Sequence, residues 1–309
     1  MDKVIRIGSR DSNLALWQAK HIEKLLQNQG YRTELMLVKS EGDINLTSPL
    51  YEMGVQGIFT KTLDIALLTE KIDIAVHSLK DVPTQLPKGL MIAAIPERAN
   101  VKDVLVVKDP NFSIENAQIH TIATSSLRRK AQWLNRYPKD VIESIRGNIN
   151  TRLQKLHDTQ SWNGALFAAA GIQRIDLAVP NQIELDWMLP APAQGALGVA
   201  CRETDTFAQE ACAHLNDYAT ATCAGIERGF LRSLKGGCSI PIAALAVMSG
   251  GQVHFRGNIL SLDGQRKVEV ERVFSENEIK EAGSLAATEL LSKGGDKIAL
   301  ELKSLMTEN

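Results

Sequence analysis

Apolar and polar positions alternate from the start of the chain, so Lys3 to Ile7 reads as a short strand, and Gly8-Ser9-Arg10-Asp11-Ser12 follows as a turn rich in helix-capping residues. Ala15, Ala19, Ile22 and Leu26 then recur at helical spacing, and Gly30 stands where a helix stops. Leu35 to Val38 reads as the next strand, Ser40 to Gly57 as a long loop with three glycines, Ile58 to Thr69 as a helix and Ile72 to His77 as a buried strand. This alternation predicts an open, mostly parallel sheet covered on both faces.

The pattern restarts at Ile119 to Ala123, passes Thr124-Ser125-Ser126 into a helix ending about Arg136, and continues through Val141 to Ile145 to a helix beginning near Asn148. The grammar is that of the first unit, without a sequence repeat. Leu189 to Arg202, with Pro190, Pro192, Gly195 and Gly198, reads as a crossover between domains. After about Asp217 the order changes to a helix over 219–234, a Gly236-Gly237 break, alternating runs near 242–248, 253–260 and 266–274, and two final helices. That is the order of a third, smaller α+β domain.

Composition narrows the function classes. The 309 residues are 44% apolar and 23% charged, ordinary for a globular chain, and call for two or three domains. A net charge of −1, from 35 Lys plus Arg against 36 Asp plus Glu, is unlike that of a chain built to neutralise nucleic acid. The longest runs free of polar side chains, such as Gly164 to Ile172, hold nine residues. A membrane-spanning helix needs about 20. The first residues carry no basic segment followed by an apolar stretch, so a cytoplasmic location is expected. Cys201, Cys212, Cys223 and Cys238 lie 11, 11 and 15 residues apart, without metal-ligand spacing, and the six histidines are scattered. Neither a metal site nor a disulfide framework is expected, and three of the thiols read as buried and inert.

In open sheets, ligands bind beyond the carboxyl ends of the parallel strands. Four such places carry a cation beside hydroxyls or glycine: Ser9 to Ser12, His77 to Pro83, Thr124 to Arg129, and Arg146 to Arg152. Between Thr121 and Arg152 seven Lys or Arg face two acids, a local excess of five positive charges in a neutral chain. Arginine dominates, and its planar fork matches carboxylate or phosphate. No glycine-rich phosphate loop occurs, so carboxylates are the expected ligand groups. Asp81, beside Lys80 and before a rigid Val82-Pro83 step, reads either as a turn cap or as a carboxylate that steadies a cation or moves a proton. Cys238 differs from the other cysteines only in its Gly236-Gly237-Cys238-Ser239 loop.

Arg6 to Arg10 with Leu14 to Ala19, Asp73 to Pro83, Thr124 to Arg129, Arg146-Gly147-Asn148, Gln194-Gly195-Ala196 and Gly236-Gly237-Cys238 together resemble the porphobilinogen deaminase (hydroxymethylbilane synthase) family. These stretches run in order through about residues 4–245. The resemblance implies an α/β fold: two periplasmic-binding-protein-like open-sheet domains, over 1–96 with 197–216 and over 97–196, and a small C-terminal α+β domain over 217–309. It implies a transferase of tetrapyrrole and haem biosynthesis that joins four porphobilinogen molecules head to tail, releasing ammonia, and frees hydroxymethylbilane by hydrolysis. It also implies a dipyrromethane cofactor held through a thioether, with Cys238 as the attachment thiol. Asp81 is then the catalytic group, stabilising the cationic azafulvene left when ammonia departs. Lys80, Asp81, Thr124, Ser125, Ser126, Arg128, Arg129, Arg146 and Gly147 would bind the cofactor. Arg10, Ser12, Arg146, Arg152 and Arg174 would bind substrate. The expected partner is porphobilinogen alone, with no nucleic acid or membrane, and the expected state is a monomer. Val55-Gln56, Thr62, Asp64, Asn150, Asn163 and Lys235 depart from the usual pattern of the family, and none of them carries an assigned role.

Two other classes compete. A non-catalytic carboxylate-binding protein with two α/β domains shares the domain grammar but has no use for Asp81 and Cys238. A nucleic-acid binder acting through residues 121–152 would have only Trp133 and Tyr137 as stacking platforms, and their helical spacing marks them as packing residues.

Overall fold

The computed structural model describes residues 3–38, 60–115, 118–175, 178–235 and 240–307. The first stretch runs β1 (Val4–Ser9), α1 (Asn13–Asn28), β2 (Arg32–Leu37), α2 (Lys61–Leu68), β3 (Ile74–Ser78) and β4 (Leu90–Ala94). The second runs β5 (Asp103–Val107), β6 (Thr121–Ala123), α3 (Leu127–Arg136), β7 (Val141–Glu143), α4 (Ile149–Asp158), β8 (Gly164–Ala168), α5 (Ala169–Gln173) and β9 (Gln182–Glu184). β10 (Leu197–Arg202), α6 (Thr206–Ala213) and α7 (Tyr218–Ser233) follow. The chain finishes with β11 (Ile242–Ser249), β12 (Gln252–Leu260), β13 (Lys267–Phe274), α8 (Ala282–Leu290) and α9 (Asp296–Thr307).

The sheet orders are β2-β1-β3-β10-β4, β7-β6-β8-β5-β9 and β11-β12-β13. The first two have one plan. Three parallel strands lie side by side, a reversed strand follows them, and a last strand runs antiparallel to that one. In each half the reversed strand is the one reached directly by a crossing from the other half: β5 follows β4, and β10 follows β9. The stretch Leu189 to Arg202, read as a crossover, returns to the first half and ends as a strand, residues 197–202 lying inside the first sheet.

Alternation inside the strands explains how both faces are covered. Val104 and Val106 of β5 enter one apolar cluster with Ile149 and Leu156 of α4, while Leu105 and Val107 enter another with Trp133 of α3. In the first half, Ile74 and Val76 pack toward α1 and α6, and Ala75 packs toward α2. The third sheet packs Phe255 and Phe274 against Phe230 of α7, with α8 and α9 closing the cluster. It also touches the second half: Gly264, at φ +72°, lies so close to α3 that a Cβ there would sit 2.5 Å from the Ala131 carbonyl oxygen. Asn135 donates to the Gly264 carbonyl at 2.7 Å.

The helix starts follow the expected chemistry. Ser12, Ser126, Asn148 and Asp217 cap α1, α3, α4 and α7, each side chain accepting from a backbone N–H three residues on. The helix expected from Ile58 is described from Lys61, and the loop over 40–57, with Val55-Gln56, lies outside the described residues.

Candidate functional site

The carboxyl ends of β1 and β3 in the first half and of β6 and β8 in the second carry the site. β3 ends at Ser78 and passes into a single helical turn, Leu79 to Asp81. The buried side chains of Leu79 and Val82 pack with Ala193, Ala196 and Ala224, which anchors the turn from below. Lys80 reaches back toward Gln194 Oε1 at 3.4 Å. Loss of hydration pushes its ammonium down to about 8; the Asp81 carboxylate opposes that shift and the Arg129 guanidinium adds to it.

Opposite stands the start of α3. Arg128 and Arg129 are buried, and both are held by Asp103, the first residue of β5. Asp103 accepts from Arg128 Nη1 at 2.6 Å, from Arg129 Nε and Nη2 at 3.0 and 2.8 Å, and from Gln194 Nε2 at 3.0 Å. Burial works to raise its carboxyl, but the two guanidinium charges overcome this and hold it well below the usual carboxylate range. Arg128 also donates to the Leu189 carbonyl and Arg129 to the Leu166 carbonyl. Gln194, in the returning crossing, thus touches both Lys80 of one half and Asp103 of the other.

Of the other cations, Arg152 is linked electrostatically to this pair, and Arg174, Arg146 and Arg10 each have surroundings of their own. Arg152 of α4 lies over the Phe167 ring at 5.0 Å, and burial pushes its guanidinium down to about 10, with Arg129 adding and Asp81 opposing. Arg174 is buried, pushed down to about 10 by lost hydration, and donates to the Gly195 carbonyl at 2.6 Å while stacking over Trp17 of α1 at 5.7 Å. Arg146, half-buried, lines one recess with Thr124, Ser125, Ser126 and Lys130. Ser125 is fixed by Ser144 and the Ile145 carbonyl, and Ser126 N–H donates to Thr124 Oγ1 at 3.2 Å. Gly147 turns the chain at φ +113°, where a Cβ would meet Thr151 at 2.7 Å. Arg10 and Ser12 lie just past β1, and the Ser12 oxygen accepts from the Ala15 N–H as the α1 cap.

Buried, unpartnered nitrogens identify what this arrangement accepts. Arg128, Arg152 and Arg174 each carry a buried Nε with no hydrogen-bond partner. A buried donor without an acceptor is costly, so these three, with Arg128 linked electrostatically to Lys80 and Arg152 to Asp81, fit a ligand rich in carboxylates. Dipyrromethane, with its acetate and propionate groups, has that chemistry.

Cys238 and Ser239 lie outside the described residues, so the expected attachment thiol is not placed. Cys201, Cys212 and Cys223 are buried, and burial pushes Cys201 and Cys212 up to about 11 and 12, as inert thiols require. Trp133 is fully buried and donates to Asp140, with Tyr137 packed on it, so neither is a base-stacking platform. Among the described residues no cluster of His, Cys, Asp and Glu could hold a metal ion. Sequence reading gave the cations but missed Asp103, whose only signal is a lone acid opening the apolar run Asp103 to Val107.

The profile for "Porphobilinogen deaminase, dipyromethane cofactor binding domain" matches residues 5–210, and that for "Porphobilinogen deaminase, C-terminal domain" matches residues 221–292. The chain belongs to the porphobilinogen deaminase family. A porphobilinogen deaminase of Chlorobium phaeobacteroides is 39% identical over 98% of this chain and 99% of its own. One from Cytophaga hutchinsonii is 39% identical over the full length of both. Among solved structures, the methionine binding protein MetQ aligns with 69% of this chain and 89% of its own, at 13% identity and a TM-score of 0.44, so the description of the fold rests on strand order. A porphobilinogen deaminase needs the catalytic and attachment residues that a purely carboxylate-binding protein does not, and the latter reading is not favoured.

Proposed function

We propose that the chain condenses four porphobilinogen molecules head to tail on a tethered dipyrromethane, releasing ammonia at each addition, and frees hydroxymethylbilane by hydrolysis. The observation that carries this reading is the pairing across the cleft of the Lys80-Asp81 turn with the Asp103-braced arginines, bridged by Gln194. When bound, the dipyrromethane supplies the nucleophilic pyrrole carbon to which the first substrate is joined.

The roles of the chain's own residues follow from their charge and placement. Asp81 steadies the positive charge that develops on the substrate as ammonia leaves, and takes the proton released on coupling. A unit charge pair at about 4 Å and an effective dielectric near 20 is worth roughly 4 kcal/mol, enough to change a rate by about three orders of magnitude. Lys80, Thr124, Ser125, Ser126, Arg128, Arg129, Arg146 and the Gly147 amide bind the carboxylates of the cofactor, which Cys238 holds covalently. Arg10, Ser12, Arg146, Arg152 and Arg174 bind those of the arriving substrate. Arg174 is fixed by its contact with Trp17 of α1 and its bond to the Gly195 carbonyl in the returning crossing. We place the domain boundaries at 1–96 with 197–216, 97–196 and 217–309, and assign a monomer of the cytoplasm. No described helix is long and apolar enough to cross a membrane.

The test is Asp81→Asn. We expect a folded protein whose intact mass includes the dipyrromethane, mapped to Cys238, and whose turnover falls by at least about a hundredfold. Near-normal turnover in that variant would remove Asp81 from the chemistry, and an unmodified wild-type mass would remove the cofactor assignment.

A further inference from the structure

Helix α7, in the third domain, lies against the back of the Lys80-Asp81 turn. Arg228 Nη1 donates to the carbonyls of Leu79 at 3.1 Å and Val82 at 2.8 Å, and Nη2 donates to the carbonyl of Pro83 at 2.7 Å. These carbonyls flank Lys80 and Asp81 on both sides. The side chains of Leu79 and Val82 are sunk in the apolar cluster beneath, so the turn is fastened by its apolar groups and by its carbonyls at once. What remains to face the arginines of the second half is Lys80 and Asp81 themselves.

Arg228 is an unusual way to hold a turn. Burial pushes its guanidinium below the ordinary arginine value, with Arg232 adding, and no carboxylate pairs with it among the described ion pairs. Its charge is offset by carbonyl oxygens alone. An apolar side chain on α7 would pack against the turn without that desolvation cost, but would leave the Leu79 carbonyl with the Val82 N–H as its donor and take from the Val82 and Pro83 carbonyls the donors that tie them to α7. The neighbouring Glu227 fixes how α7 is rolled: it accepts from Arg98 at 2.7 and 2.9 Å, from the Ala193 N–H at 2.6 Å and from the Ala246 N–H at 2.8 Å. With that roll locked, the fork of Arg228 is aimed at the turn.

We propose that Arg228 is a positioning residue for the reaction: its three hydrogen bonds hold the backbone of residues 79–83 so that Lys80 and Asp81 are presented to the cleft. The proposal rests on the reading of Asp81 given above. It makes the third domain a participant in turnover, in addition to the thiol assigned to it. Lysine is not an equivalent replacement, because a point ammonium cannot reproduce the fork that spans carbonyls on both sides of the turn.

The experiment uses the full-length, cofactor-loaded protein and the variants Arg228→Met, Arg228→Lys and Thr220→Val. Thr220→Val is the control: it removes the Arg98 N–H to Thr220 Oγ1 bond of 3.1 Å from the same helix without touching the turn. Four quantities are read: intact mass, thermal midpoint, hydrogen exchange of peptides covering 79–83, and kcat with KM. In Arg228→Met we expect a loaded protein, exchange at 79–83 at least about tenfold faster with β3 and α7 still protected, and kcat down about tenfold or more with KM within about twofold. Arg228→Lys should fall between this and wild type. Thr220→Val should lower the midpoint alone.

Wild-type exchange at 79–83 in both Arg228 variants would overturn the proposal, as would a kcat that merely tracks the thermal midpoint across all three. If Arg228→Met does not fold, Arg228→Lys decides by the same readouts. An active Asp81→Asn would sink the catalytic reading while leaving the exchange result to report on the clasp.

Discussion

Among the described residues, two arginine pairs are each gripped by one buried aspartate, and they sit at opposite ends of their sheets. Asp73, just before β3, accepts from Arg6 N–H, Nε and Nη2 at 2.9, 2.9 and 2.7 Å and from Arg202 Nη2 at 3.1 Å. Asp103 grips Arg128 and Arg129 in the same manner. Arg202 is further occupied by Asp205 and by the carbonyls of Leu67 and Ile72, and no buried nitrogen of the Asp73 set lacks a partner. The Asp103 set, at the end assigned to the ligand under the proposed function, leaves Arg128 Nε without a partner beside a dehydrated Lys80. The same ions make a closed brace when every donor is used and a receptor when some are left over.

The sharpest way to break this contrast is Asp103→Asn. Removing the one carboxylate that compensates two buried guanidinium groups should cost about 3–5 kcal/mol of stability, read by denaturant unfolding, and should prevent cofactor loading, read by intact mass. A loaded protein of wild-type stability would show that the arginines do not depend on it. Asp73→Asn should cost less, about 1–3 kcal/mol, since Arg6 is partly in water and its partners are shared. Cofactor content and kcat should then stay at wild type, and a loss of turnover would erase the distinction between the two sets.

The smallest effect lies in acid. Burial favours the protonated forms of both aspartates, but Arg6 and Arg202 at Asp73, like Arg128 and Arg129 at Asp103, hold the folded carboxyls below their unfolded values. Each therefore contributes stability that is complete above the ordinary carboxylate pKa near 3.9 and is lost as pH falls below it. The unfolding free energy of wild type should fall steeply below about pH 4, and each Asn variant should flatten that slope. Equal slopes in all three proteins would place the acid sensitivity elsewhere.

The same contrast shows what the sequence could reveal. Amphipathic elements were legible: α1 and the runs that became β11, β12 and β13 follow the periodicity closely. Strands β4, β5 and β8 received no assignment, because a strand covered on both faces shows no alternation and a short apolar run does not by itself separate strand from helix. The sheets are accordingly less parallel than their grammar suggested, with β5 and β10 reversed by the crossings that lead into them. The cationic residues announced themselves by standing after strands. Asp103, Glu227 and Arg228 gave no such sign, since each acts on groups distant in the chain: Arg228 on carbonyls 145 to 149 residues away, Asp103 on side chains 25 and 26 residues on.

Glu227 has one more consequence. The outgoing crossing delivers Arg98 to it and the returning crossing delivers the Ala193 amide, while its third acceptor role secures the sheet of the last domain. Jaws that swing about two such strands would have to tear a fully buried carboxylate away from one of them, stranding charge in a dry interior. The rivet therefore opposes a wide opening of the two halves about their crossings.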